Sequence, residues 1–213
     1  AMQTEELIAL RSEGLEPVRP GTLACQTALG VGVGLVLSTI RMLTWLGLRP
    51  DFDSAMVSFG MWMKLAYAFA LAAFALWALE RLGRPGSDAR RPLLMLALPV
   101  GAILVLSAIQ MMAPDADRTA LVMGHSSDVC ATNILGCSLP LLAAAFWILR
   151  RMAPTSLGLT GAVAGLFAGG AGAFVYAFHC TEATAPFVLV WYTLGVGLTA
   201  LTGAILGRWL LRW

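Results

Sequence analysis

The sequence predicts an all-α fold: a polytopic integral membrane bundle of six transmembrane helices with both termini cytoplasmic. Three observations lead there. Hydrophobic residues fill 59% of the 213 positions and charged residues only 12%, with a mean hydropathy of +0.79, where soluble domains carry about a quarter charged residues. Six runs are each long enough to cross about 30 Å of hydrocarbon. The basic residues gather on alternate connections, as the positive-inside rule requires. A soluble domain of this length has too little interior to hide so much apolar side chain. A net charge of +2 leaves no footprint for a polyanion, so no direct nucleic-acid contact is expected. The composition excludes a soluble enzyme and a disordered regulator.

The spans, in order, are Leu23–Leu48, Phe59–Leu79, Leu93–Met112, Ile134–Leu149, Leu157–Phe178 and Pro186–Leu206. Each is apolar around most of its circumference, which suits a span better than a surface helix. The fourth is the shortest and is expected to begin earlier, within Cys130–Cys137. Glu5 and Glu6 stand where a secretory signal would carry basic residues, so the first span is read as an anchor that stays. Arg11, Arg19, Arg81, Arg84, Arg90, Arg91, Arg150, Arg151, Arg208 and Arg212 fall on one side. Arg49 and Arg118 fall on the other, with Arg41 and Lys64 near the helix ends there. This bias puts residues 1–22 and the carboxyl terminus in the cytoplasm and makes residues 23–213 the membrane domain of a multi-pass protein in contact with lipid; in a bacterium the opposite face is periplasmic. Gly161, Gly165 and Gly169 in the fifth span, with Gly203 and Gly207 in the sixth, are spaced for close backbone approach between helices.

The interior offers little for transport. No carboxylate lies at mid-membrane, and Arg41 and Lys64 sit near enough to helix ends to snorkel outward. Metalloprotease, hydrolase, phosphate-loop and Cys-x-x-Cys motifs are missing, so the chain does not read as an enzyme.

Chemistry concentrates in the connections opposite the arginines. His125 and Cys130 lie in GHSSDVCATNILGC, Cys137 opens the fourth span, and His179 and Cys180 sit together in FHCTEATAP. Cys25, near the arginine side, reads as a small packing residue. Thiolate and imidazole together suit copper or zinc, a possible metal rather than an assured cofactor. In an oxidising compartment the same thiols can pair instead, Cys130 with Cys180 being the bridge that ties two separate connections, provided their Cα atoms come within about 7 Å. Inert packing is the third alternative. Cys137 borders an apolar helix and points to burial; His125 is the weakest ligand of the set.

The arm TEELIALRSEGLEPVR is the one sizeable piece outside the spans. Thr4 can cap a helix and Glu5 and Glu6 favour its N-terminal dipole, while Leu7, Ile8 and Leu10 form a partial apolar stripe that Gly14 and Pro17 end. So short a helix is marginal alone in water. Its stripe suits a partner's groove or the membrane interface.

The whole chain resembles the NrsF-type negative regulators of sigma-F, membrane anti-sigma factors. The resemblance rests on TEELIALRSEGLEPVRP, LGLRPD, VCATNILGCSLPLLAAAFWILRRMAPT, AGLFAGGAGAFVYAFHCTE and WYTLGVGLTALTGAILGRWLLRW. The Cys-x-x-Asn-Ile element and the His-Cys pair are its specific parts. It implies six helices holding an extracytoplasmic-function sigma factor at the inner membrane, through Leu7, Ile8 and Leu10, and releasing it under heavy-metal or redox stress. It carries the sensing role onto Cys130, Cys180 and His179, and leaves Cys25 and Cys137 without one. The rival class is a membrane thiol oxidoreductase or metal carrier using the same cysteines, with His179 activating Cys180.

Overall fold

Where the chain meets apolar runs without internal breakers it forms long helices, and the breakers it does carry set their ends. The computed structural model describes residues 21–84, 86–114 and 117–212. The arm, with Leu7, Ile8 and Leu10, lies outside the described residues. The elements are α1 (Thr22–Trp45), α2 (Phe52–Met56), α3 (Phe59–Leu82), α4 (Arg90–Met95), α5 (Ala97–Met111), α6 (Arg118–Met123), α7 (Ser127–Leu149), α8 (Leu157–Tyr176), α9 (Ala185–Phe187), a π-helical turn (Val188–Tyr192) and α10 (Thr193–Leu210). They supply six stretches long and apolar enough to cross a membrane: Ala24–Trp45, Phe59–Leu82, Arg90–Met111, Arg118–Leu149, Leu157–Tyr176 and Ala185–Leu210.

The boundaries have local causes. Gly47 takes φ +78° and turns the chain out of α1 three residues before the expected end at Leu48. The Ser58 hydroxyl caps α3 by accepting from the Met61 N–H at 3.3 Å. The third span, expected as one run from Leu93, is interrupted at Leu96, because Pro99 has no N–H to give the Met95 carbonyl. The fourth span begins before Ile134 as expected but earlier than the Cys130–Cys137 stretch: its main helix starts at Ser127 and so includes Cys130, and α6 precedes it.

The helix α8 is the centre of the packing, with 72% of its span buried. It touches α10, α3 and α7, each along a line where it has no side chain. A Cβ on Gly165 would meet the Ala200 Cα at 2.6 Å, and one on Gly161 the Gly207 Cα at 2.9 Å. On another face, a Cβ on Gly170 would lie 2.7 Å from the backbone nitrogen of Ala72 in α3, and one on Gly172 2.8 Å from that of Ser138 in α7. Such close approach supplies dispersion contacts that hold the helices together.

Two apolar clusters fill the bundle. One surrounds Met61, Tyr67, Ile134, Tyr176, Phe187 and Tyr192 and contains Cys130, Cys137 and Cys180. The other, toward the arginine-bearing connections, contains Ala75, Leu141, Phe146, Phe167 and Leu211. Outward faces of α1 and α5 present Leu29, Val36, Ile40, Leu104 and Ile109. Trp45 and Trp62 stand exposed at one end, Trp147 and Trp209 at the other, the positions indoles take at membrane interfaces.

Replacing Gly165 by leucine forces α8 and α10 apart and is expected to lower stability by about 1–3 kcal/mol or more. The same change at Gly197, where a Cβ meets nothing within 4 Å, is expected to be silent. Thermal melting of the two detergent-solubilised variants checks the contrast.

Candidate functional site

The end of the bundle away from the arginine-bearing connections is built around Cys180. Past α8 the chain makes a tight turn in which the N–H groups of His179 and Cys180 donate to the Tyr176 carbonyl. The turn drops the Cys180 side chain into the core at 2% exposure. Cys130, on the second turn of α7, is fully buried at the same place. The two thiols are unbridged neighbours in the same buried cluster, close enough for each to bear on the other's ionisation. The Cys180 thiol is held below the usual thiol range, first by the neighbouring Cys130 thiol and then by the Lys64 ammonium, against the cost of burial.

The main chain of the same turn is gripped from two sides. Lys64, 0% exposed on the second turn of α3, donates from Nζ to the Cys180 carbonyl oxygen at 2.7 Å. Arg49 donates to that oxygen at 3.1 Å and to the Thr181 carbonyl at 3.4 Å. The Arg49 guanidinium is itself fixed by a bidentate pair with Asp51, both bonds at 2.8 Å. That pairing raises the Arg49 pKa and holds the Asp51 carboxyl below the usual carboxylate range. The Arg49 N–H closes the contact on the Phe178 carbonyl at 3.1 Å.

Aromatic rings roof the pair. Tyr176 packs at a tilt of 48° on Tyr192, with centroids 6.0 Å apart, and at 46° on His179, at 5.6 Å. Tyr192 belongs to the π-helical turn, a distortion that recurs at functional sites. Its hydroxyl is buried and, among the described residues, has no hydrogen-bond partner.

The structure thus brings Cys130 and Cys180 together and leaves their companions apart. His179 is half-buried beside them, but its Nδ1 is engaged with the Gly47 carbonyl at 3.0 Å. Cys137 lies two turns further along α7, buried, and its carbonyl accepts from the Ser38 hydroxyl at 2.7 Å. The His125 side chain is fully exposed and lies 3.5 Å from Glu182, which also accepts from the His125 N–H at 2.7 Å. It faces this carboxylate and not the thiols. Among the described residues no group of three or more His, Cys, Asp or Glu side chains is arranged to hold a metal ion. A four-ligand zinc site therefore does not fit these residues. Two adjacent sulfurs fit disulfide formation or a soft ion satisfied by thiolates.

The reading of Lys64 as a snorkelling side chain is corrected here. It points into the bundle, because the turn carrying Cys180 offers it a carbonyl and covers it. Its place on the seam Met61, Lys64, Ala68, Leu71, Ala75 and Ala78, all buried, was the available signal. Arg49 entered the sequence reading only as a loop charge, and Tyr192 not at all.

A family model described as "Negative regulator of sigma F", NrsF, matches residues 12–213. The chain belongs to the NrsF family. It is 41% identical over 218 residues to "Anti-sigma-F factor NrsF" of Caulobacter vibrioides (strain NA1000 / CB15N), with 100% of both chains covered. It is 36% identical over 213 residues to "Probable anti-sigma-F factor NrsF" of Azospira oryzae (strain ATCC BAA-33 / DSM 13638 / PS), again with 100% of both covered. No solved structure matches. For this NrsF-family chain the Cys-x-x-Asn-Ile element supplies Cys130 at the head of α7, and the His-Cys pair ends the turn after α8.

Native labelling with a bulky maleimide is expected to modify Cys25, which is exposed, and to spare Cys130, Cys137 and Cys180 until the protein is unfolded. Peptide mass spectrometry of the labelled chain reads the order; early modification of Cys130 or Cys180 contradicts the buried placement.

Proposed function

We propose that this chain is an anti-sigma factor of the inner membrane that holds an extracytoplasmic-function sigma factor on the cytoplasmic side and releases it when the thiol pair on the opposite side is modified. The observation that carries this reading is the burial of Cys130 and Cys180 against each other at the end of the bundle remote from where the arm joins α1. The full-length likeness to two proteins named as anti-sigma-F factors supports the regulatory half. The arginine excess on the arm's side supports the orientation.

In this reading Leu7, Ile8 and Leu10 seat the arm in a groove of the sigma factor and order it on binding. Modification takes one of two forms. A two-electron oxidant accepts two electrons while the two thiols lose two protons and close as a disulfide. Alternatively, a thiophilic ion such as copper(I) takes the two sulfurs as ligands, with His179 adjacent. Burial of both thiols leaves no room for a protein or a quinone to exchange with them, so small oxidants and ions are the stimuli, and the oxidoreductase reading loses ground. The free energy available to the switch is the difference in stability of the bridged or metal-bound pair between the holding and releasing states.

Deleting residues 3–17 is expected to abolish recovery of the sigma factor with the membrane-embedded chain. Changing both Cys130 and Cys180 to serine is expected to leave holding intact and to abolish release by diamide or by copper. Co-purification before and after treatment reads both; sustained release from the serine double variant overturns the sensing role, and sustained holding without the arm overturns the binding role.

A further inference from the structure

Lys64 carries a charge into the bundle with no carboxylate in ion-pair range among the described residues. Removing an ammonium from water costs on the order of several kcal/mol unless its donors are satisfied. Among the described residues its one hydrogen bond goes to the Cys180 carbonyl. Arg49 uses the same oxygen, so both lone pairs of that carbonyl are engaged by cations from different elements, α3 and the connection after α1. Cys180 is therefore a joint among three parts of the fold. Its sulfur meets α7 through Cys130, and its main chain is held by α3 and by the Arg49 turn.

We propose that Lys64 is the positioning residue that couples the thiol pair to α3, holding the bundle in its sigma-binding state while the Cys180 carbonyl remains on Nζ. This rests on the sensing reading above and adds the route by which it reaches the arm. A bridge or captured ion repositions the Cys180 sulfur, and the residue's main chain must follow. Once the carbonyl leaves, a buried ammonium has lost its hydrogen-bond partner, and α3 must shift to give it another. At its far end α3 carries Leu79 and Glu80, which with Arg84 line a crevice shared with Ala24 and Thr27 on the first two turns of α1. Those turns continue directly from the arm. The helix is a rigid lever of 24 residues, about 36 Å long, between the two places.

The test uses the full chain in native membranes with its sigma factor bound and no oxidant or metal added, in the wild-type background and in the serine double variant at Cys130 and Cys180. Lys64→Met is expected to weaken retention about tenfold or more in both backgrounds, the scale of a lost hydrogen bond to a charged group. Lys64→Gln, which keeps a neutral donor, falls between, and Lys64→Arg restores holding. Retention by Lys64→Met equal to wild type, with release at the same diamide dose, overturns the proposal. If Lys64→Met fails to accumulate, Arg49→Gln decides: it removes the second donor to the same carbonyl and must loosen retention in the same direction, and unchanged retention overturns the proposal. Because retention is read without a stimulus, its outcome is separate from that of the sensing reading, which fails on its own if the serine double variant still releases on diamide.

Discussion

The close approach of α8 to three neighbours governs the rest of the molecule. With no side chain at Gly161 and Gly165 it lies backbone to backbone on α10; with none at Gly170 and Gly172 it meets α3 and α7 in the same way. Those contacts fix where its C-terminal end emerges, and Cys180 lies four residues past Tyr176, the last residue of that helix. The positions of Cys130 on α7 and Lys64 on α3 relative to Cys180 follow from the same packing. A thiol pair assembled from residues 50 apart in sequence, and a lysine 116 residues from its acceptor, are in this sense consequences of four missing methyl groups.

A second constraint is the accounting of buried polar groups. At the thiol end the bundle buries a lysine, an arginine, two cysteines and two tyrosines, and most of their polar atoms find partners within the turn that carries Cys180. The exception is the Tyr192 hydroxyl. Burial without a partner costs free energy, and here the cost falls at the point where the helix opens into a π-helical turn.

Much of this was legible in the sequence. The spans follow from hydropathy because a bilayer rewards an uninterrupted apolar run and little else, and the glycine spacing in the fifth and sixth spans announced close packing. The nearness of Cys130 and Cys180 was one of several arrangements that three thiols on one side, Cys130, Cys137 and Cys180, left open. What escaped was direction. A lysine five residues into a helix satisfies hydropathy equally by snorkelling out or by turning inward, and only the partner contributed by a distant connection decides between them. Arg49 escaped for the same reason, since its acceptors lie at Cys180 and Thr181. His179 and His125 were grouped with the thiols by residue type, yet each found a nearer partner, the Gly47 carbonyl and Glu182.

The account requires that the thiol end and the arm face different compartments. The direct measurement is sidedness in intact cells, using a membrane-impermeant maleimide on chains with Cys25 replaced by serine and one new cysteine, either His125→Cys, at a fully exposed position, or Ser12→Cys in the arm. Labelling at position 125 in intact cells, with position 12 protected until the inner membrane is permeabilised, is the predicted result. Labelling of both positions from the same side would contradict it.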